Sequence, residues 1–405
     1  MMRALVLLCG CVALLMTGFG LIVPVFPQRL QSLGLGAETL ALMEGAFGLG
    51  MFLFGIPLGS LADRIGRKPI VLLSLAGFIV TNLVLAIVNI PLVFILIRFV
   101  EGVLVSGLMP ASTAMVGDSV PVERQGRWIG FITTAQATGI ALGPGIGGFL
   151  YQSWGFYSPF LISAGLALIA SLLALVVLPE TLPAHVREKA KQRKINKQLK
   201  ECIAIDDAPS IPTLLWLFAP LLLIDFDMAF VYPFALPQYP FFFEKVLKYN
   251  AVQYGMILSM YGLALAVFPM ILGHLSEIMP KKWLIILGSL SLTALNAGML
   301  FLHQYVLLIV TAIIAGMGSA LLLPAMGTIY LAATTEQNRS QMMGIRGSAL
   351  SLGMLLAPLT QAVVAPWITP QITFAISIGL TLVMVLLALV VLKNPQPEEA
   401  SKVAI

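Results

Sequence analysis

The sequence predicts an all-α membrane protein with twelve transmembrane helices in two pseudo-symmetric six-helix bundles. Three observations carry this reading. Of 405 residues, 59% are hydrophobic and 10% charged, whereas an ordinary soluble domain is roughly 25% charged. The apolar residues gather into runs of the length that crosses a hydrocarbon core, ~20 residues per helix. The second half of the chain also repeats the first. In lipid only helices or closed barrels satisfy every backbone polar group, and the uninterrupted length of the runs excludes a barrel.

Read between charges and Gly/Pro breaks, the spans fall at 4–26, 39–61, 69–88, 91–115, 126–150 and 155–178. The second set falls at 212–236, 250–272, 282–302, 305–330, 341–365 and 370–392. The first run follows a single Arg3, is longer than the apolar core of a signal peptide and is followed by further spans, so it reads as a retained helix. The domain organisation expected is a bundle over 1–178, a basic cytoplasmic linker over 179–212, a second bundle over 213–393 and a cytoplasmic tail over 394–405.

With the N-terminus in the cytoplasm, the cytoplasmic segments hold 19 of the 23 Lys and Arg. Arg29, Lys245 and Lys248 lie in outer loops and Arg98 inside a span. That asymmetry sets the orientation, with both termini cytoplasmic in a multi-pass cell-membrane protein. The sequon Asn338-Arg339-Ser340 then faces the cytoplasm and stays unglycosylated. The linker carries Arg187, Lys189, Lys191, Arg193, Lys194, Lys197 and Lys200. Two readings fit it: an amphipathic helix on the anionic inner leaflet, or a solvated connection.

Several function classes are excluded. The net charge of +5 is spread over loops between spans, not gathered as a patch beside a soluble core, so nucleic acid is not a partner. Cys9 and Cys11 point to different faces of one apolar helix and Cys202 lies in the basic loop, so no disulfide or metal framework follows. Three His and three Cys form no metal-ligand cluster. There is no phosphate loop and no sizeable soluble domain, which argues against an enzyme, a cofactor or nucleotide-driven pumping.

The repeat is explicit. A shift of 214 residues aligns Gly59 with Gly273, Asp63 with Glu277, Arg67 with Lys281 and Lys68 with Lys282. The same shift aligns Gly102 with Gly316, Pro110 with Pro324, Gly130 with Gly344 and Pro144 with Pro358. Near the start of each half, Phe26-Pro27-Gln28 matches Leu236-Pro237-Gln238 at a shift of 210. Chance matches among glycines do not keep one register across four spans. Parallel six-span repeats related by an axis along the membrane normal belong to one large class of secondary transporter, in which rocking halves give alternating access to a midplane site.

The stretch from Gly59 through Asp63, Arg64 and Gly66 to Arg67 and Lys68 resembles the G-x-x-x-D-x-x-G-R-K loop of the major facilitator superfamily, in that family's position between spans 2 and 3. A weaker copy runs from Gly273 to Lys282. The resemblance implies that Asp63, Arg67 and Lys68 are gate residues steadying the outward-facing state. In span 5, Gly139, Gly143, Pro144, Gly147 and Gly148 resemble the G-x-x-x-G-P-x-x-G-G motif of the antiporter branches, which favours efflux. Small residues four apart also permit close helix contact, and Gly-Pro bends a helix. Arg98-Phe-Val-Glu101-Gly102 in span 4 resembles the R-x-x-Q-G motif of the twelve-helix drug:proton antiporters, with Glu101 in place of Gln. That branch commonly has an acid in helix 1, where this chain offers only Thr17.

Charged groups at mid-bilayer cost at least ~2.5–3.5 kcal/mol on insertion scales, so each is a functional candidate. Those here are Glu44, Arg98, Glu101, Asp225, Asp227 and, near a helix end, Arg346. Arg98 and Glu101 share a helix face and can neutralise each other; the resemblance equally makes them a proton path. Asp225 and Asp227 are ~200° apart around a helix, so one of them carries a transported proton and the other meets a partner in a neighbouring helix. Asp227 is preferred because at a shift of 210 it aligns with Thr17. Phe226, Phe230, Tyr232, Phe234, Tyr239 and Phe241 to Phe243, with Met228 and Met260, suit lipophilic or cationic guests, although lipid-facing aromatics share that pattern. Glu44 either meets substrate at the outer mouth or pairs with another helix.

The leading function is secondary active transport: proton-coupled antiport exporting small amphiphilic or drug-like compounds. The alternative is a permease for a specific metabolite or lipid, with or without proton coupling. The partners expected are the small-molecule substrate, protons and the lipid bilayer, with a monomer as the unit because two halves already form one pore.

Overall fold

The computed structural model describes residues 2–182, 211–272, 279–333 and 339–392. Gly273 and Glu277 of the second loop copy, Cys202, the sequon's Asn338, residues 183–210 of the linker and the tail from 393 lie outside these. The described residues are helical, with no strand among them. In order the helices are α1 (Met2–Ile22), α2 (Phe26–Ser32), α3 (Ala37–Ile65), α4 (Arg67–Ile87), α5 (Pro91–Val105), α6 (Leu108–Ser119), α7 (Val122–Trp154) and α8 (Tyr157–Val177). Then follow α9 (Ile211–Ala235), a 3₁₀ turn (Leu236–Gln238), α10 (Tyr239–Lys245), α11 (Ala251–Leu272), α12 (Lys281–Phe301), α13 (Tyr305–Ala333), α14 (Arg339–Val364) and α15 (Pro370–Val391).

Local sequence sets the breaks. Gly66, at φ 121°, turns the chain directly from α3 into α4, and Gly155, at φ 79°, closes α7; both angles favour residues without a Cβ. Pro91 opens α5 and Pro370 opens α15, where a missing N–H costs nothing. At the start of α15 the Thr369 hydroxyl accepts from the Ile372 N–H.

Eleven helical segments among the described residues are long and apolar enough to cross a membrane. The 33-residue α7 is not among them. Its middle is built from Thr133, Thr134, Gln136, Thr138 and the glycines from Gly139 to Gly148, so length is ample and apolarity is short. The chain is therefore an all-helical, multi-span membrane protein with eleven to twelve apolar helices.

By packing, the chain forms two compact units. One comprises Met1–Asp206 with Pro240–Gly262, the other Asp207–Tyr239 with Leu263–Ile405. The first thus takes in α10 and the first half of α11. Its core is built on Leu8, Leu15, Leu75, Phe78, Leu108 and Met115. The second unit's core is built on Phe218, Leu222, Ile285, Met326, Tyr330 and Val385.

Internal packing repeats at the sequence offset. Lys68 Nζ donates to the Leu175 carbonyl at 2.7 Å, and Lys282 Nζ donates to the Leu389 carbonyl at 2.7 Å, both partners shifted by 214. In the first unit Ser74 of α4 reaches Leu104 of α5; in the second, Gly288 of α12 lies against Gly318 of α13. Where α1 crosses α7, a Cβ on Gly139 would lie 2.6 Å from the Ala13 carbonyl oxygen and 2.9 Å from Met16 Cβ. Where α9 crosses α14, a Cβ on Gly353 would lie 2.7 Å from the Phe226 carbonyl oxygen and 2.9 Å from Ala229 Cβ.

Those last two crossings correct one expectation. They pair Ala13 with Phe226 and Met16 with Ala229, a shift of 213 in the first helix of each set. Thr17 therefore corresponds to Phe230, not to Asp227. The shift of 210 holds only for the Pro-Gln signature near the ends of these spans.

Candidate functional site

The first unit holds a buried charge triad. Arg98 and Glu101, one turn apart on α5, pair through NH1 and Oε2 at 2.9 Å. The other arm of the guanidinium, NH2, reaches Glu44 Oε1 of α3 at 3.0 Å. Glu44, whose role the sequence left open, is thus a helix-to-helix ion partner. Close approach makes this possible: Gly50 and Gly102 sit where α3 and α5 meet backbone to backbone, leaving no room for a Cβ. The guanidinium carbon lies 4.5 Å from the Phe47 ring centroid and 5.2 Å from that of Phe19, within cation-π range. Thr17 does not join the triad, its hydroxyl being bonded to the Ala13 carbonyl of its own helix.

The loop between α3 and α4 is a second cluster. Arg67 is buried, pairs with Asp63 and reaches Asp118 Oδ2 of α6 at 3.3 Å. Asp118 also accepts from the Thr181 hydroxyl at 3.0 Å. The carboxylate of Glu180 caps α4, accepting from the Arg67 and Lys68 N–H groups at 3.0 and 3.2 Å. Gly59 packs against Pro110, Gly66 makes the turn, and Arg64 is exposed. Asp118, Glu180 and Thr181 were not among the residues singled out from sequence. The available signal was an acid directly after an apolar run, in a chain with 18 Asp and Glu.

The glycine motif of α7 has two working faces. Gly139, Gly143 and Gly147 lie at successive turns against α1, facing Ala13, Gly20 and Leu21. Pro144, Gly145 and Gly148 face the first half of α11, against Gly255, Ser259 and Ala251. The Gly145 N–H donates to Ser259 Oγ at 2.8 Å. This seam is what draws the first half of α11 into the first unit.

In the second unit Asp225 and Asp227 part company. Asp225 is fully buried and held in two-point fashion by Arg346 of α14, Nε to Oδ2 at 3.0 Å and NH2 to Oδ1 at 3.2 Å. The ring of Tyr330 of α13 lies 5.1 Å from the guanidinium carbon, and Tyr330 is within electrostatic range of the same carboxylate. Asp227 is 8% exposed and has no hydrogen bond or ion pair among the described residues. Beside it Phe226, Phe230 and Phe234 stack at 5.5 and 5.4 Å between centroids along one face of α9. Tyr232 stands edge-on to Tyr239, whose hydroxyl bonds Asn296. Phe241, Phe242 and Phe243 follow on α10. These three rings are buried in the first unit, with Phe243 against Tyr249 and Tyr254.

A sequence model of the Major Facilitator Superfamily matches residues 8–252 and 221–404. The chain belongs to the Major Facilitator Superfamily. Among relatives of this superfamily chain, Multidrug resistance protein 2 of Bacillus subtilis is 24% identical over 381 residues, covering 90% of this chain and 91% of that protein. Multidrug resistance protein MdtG of Klebsiella pneumoniae is 28% identical over 387 residues, covering 94% and 91%. In fold it is similar to a point mutant of the nucleoside transporter NupG, with a TM-score of 0.75 at 14% identity, covering 96% of this chain and 100% of that one. This superfamily member is a transporter and not an enzyme.

Proposed function

We propose that the protein is a proton-coupled antiporter that exports small amphiphilic or drug-like compounds by alternating access. The observation that carries this reading is the triad of Glu44, Arg98 and Glu101. One guanidinium stands between two carboxylates, so the site has one negative charge in excess when both are ionised, and a buried excess charge favours taking up a proton. Asp227, buried without a partner, is the second proton-carrying candidate, whereas the Arg346 pair ties Asp225 to a structural role. The relatives named as multidrug resistance proteins support drug-like substrates.

The rest of the assignment follows the sequence pattern. Twelve helices form two six-helix bundles over 1–178 and 213–393, joined by a basic cytoplasmic linker, in a cell-membrane monomer with both termini cytoplasmic. Asp63, Arg67 and Lys68 steady one gate through Asp118 and Glu180. The α7 glycines form the antiporter seam, and Phe230, Tyr232 and Phe234 line the substrate path.

The test is ethidium efflux from inverted vesicles under an imposed pH gradient, comparing the parent with Asp227→Asn and Glu101→Gln. Transport by the parent that stops when the gradient is collapsed, and is lost in either variant, supports the reading. A folded parent that moves no such compound under the gradient overturns it and turns the search to native metabolites and lipids.

A further inference from the structure

The triad is not equally accessible. The Arg98 side chain is 2% exposed and that of Glu101 is 0%, while the side chain of Glu44 is 28% exposed. Glu44 is therefore its open face. Beside it stand Phe19 and Phe47, both half-buried, with ring centroids 5.3 Å apart. The hydrogen bonding is also incomplete: Glu101 Oε1 and Arg98 Nε are buried and lack a partner among the described residues. Two aromatic faces and a reachable carboxylate are what an organic cation binds.

The surrounding charges leave this group electrically isolated. The elements packed on α5 bring Glu44 from α3 and, at the far end of α4, Arg67 and Lys68, which are engaged by Asp63, Asp118, Glu180 and the Leu175 carbonyl. α1 contributes the Phe19 ring and α2 the Phe26 ring, Arg29 of α2 being engaged by Asn89 and Phe156, and Tyr254 of α11 lies within electrostatic range of Glu44. No other ionisable side chain among the described residues of these elements faces the triad.

We propose that Glu44 is the residue by which this transporter selects organic cations, and that a bound cation takes the place of Arg98 on Glu44. This assignment rests on the antiport reading above and adds the substrate class. Two carboxylates share one guanidinium, so a neutral site needs one further positive charge. A proton on Glu101 supplies it in the empty state. When a monovalent cation sits against Glu44, Arg98 is released to serve Glu101 alone, and Glu101 then holds its charge and gives its proton to water. Cation and proton thus compete for one excess charge, one for one. A neutral compound makes no such exchange.

The experiment uses the purified full chain in weakly buffered detergent micelles. Binding of radiolabelled tetraphenylphosphonium is measured by equilibrium dialysis, and proton release is followed with an indicator dye. Chloramphenicol serves as the neutral comparison. The parent releases about one proton per tetraphenylphosphonium bound and none for chloramphenicol. In Glu44→Gln the preference for the cation over the neutral compound falls about tenfold or more, close to 1.4 kcal/mol, and proton release disappears. Glu44→Asp, which keeps the charge, retains part of both. Unfolding midpoints verify that each variant is folded. Cation preference and proton release unchanged in folded Glu44→Gln overturn this inference while leaving antiport standing. A folded parent that binds neither compound overturns both.

Discussion

Arg346 of α14 holds Asp225 of α9 through two parallel hydrogen bonds at 3.0 and 3.2 Å, with the aspartate wholly out of solvent. The pair is matched one charge to one. The Arg98 triad in the first unit is mismatched, two carboxylates to one guanidinium. A matched pair has little reason to exchange a proton; a mismatched one does. The same chemistry thus serves as a strut in one unit and as a candidate switch in the other.

Breaking the strut leaves a buried charge uncompensated, which costs about 3–5 kcal/mol. Asp225→Asn and Arg346→Met are each expected to lower stability by that order, measured by unfolding in mixed micelles. The double variant removes both charges and is expected to lose clearly less than the sum of the two. Additive losses would show that the two residues do not act as a pair.

At Gly147, a Cβ would run into the backbone of Leu21 on α1, and a backbone cannot step aside as a flexible side chain can. Gly147→Ala is expected to cost about 1–3 kcal/mol through overpacking and to lower transport. Gly165 of α8 has nothing within 4 Å of its Cβ position. Gly165→Ala is expected to be neutral or to gain up to about 1 kcal/mol from helix propensity. Thermal unfolding of both variants, with efflux measured alongside, distinguishes a seam that needs contact from glycines that merely accompany it.

The loop between α3 and α4 separates stability from gating. Glu180 supplies the N-terminal acceptor for α4, so Glu180→Ala is expected to lose about 1 kcal/mol. The Asp63 side chain is 66% exposed, and an exposed ion pair contributes about 0–1 kcal/mol, so Asp63→Asn is expected to leave the unfolding midpoint almost unchanged. Its effect is expected on transport rate. A stability loss in Asp63→Asn equal to that in Glu180→Ala would make the whole loop a structural staple.

The sequence made the helices legible because lipid leaves the backbone few choices, and charge asymmetry and internal repetition are written in composition and spacing. Local pairs were legible as well: Arg98 and Glu101 are three apart, and that spacing alone puts them on one face. Partners from distant segments were harder to see. That Glu44 would reach Arg98, or Glu180 would cap α4, depends on which helix faces turn toward each other, and hydropathy does not record rotation about a helix axis. The preference for Asp227 rested on a register that the packing shifts by three residues, because a short insertion within a span leaves no mark in an apolar sequence. What singles out Asp227 is its lack of a partner, a property only the folded chain displays.

Duplication followed by divergence makes a crossed prediction at one pair of equivalent positions. Ser74 of α4 donates to the Leu104 carbonyl at 2.7 Å with its side chain buried, so the helices there stand a hydroxyl apart. At the equivalent point a Cβ on Gly288 would lie 2.9 Å from the Gly318 carbonyl oxygen and 3.1 Å from Leu322 Cβ, so α12 and α13 touch without a spacer. Ser74→Ala gives up one buried hydrogen bond, about 1 kcal/mol, and Ser74→Gly loses more by adding helix entropy. Gly288→Ala costs about 1–3 kcal/mol through crowding, and Gly288→Ser costs more. The expected order of stability is Ser, Ala, Gly at position 74 and Gly, Ala, Ser at position 288, read from unfolding of the parent and the four variants. Finding the same order at both positions would mean that the two helix pairs pack alike and that the close approach of α12 and α13 is not what Gly288 serves.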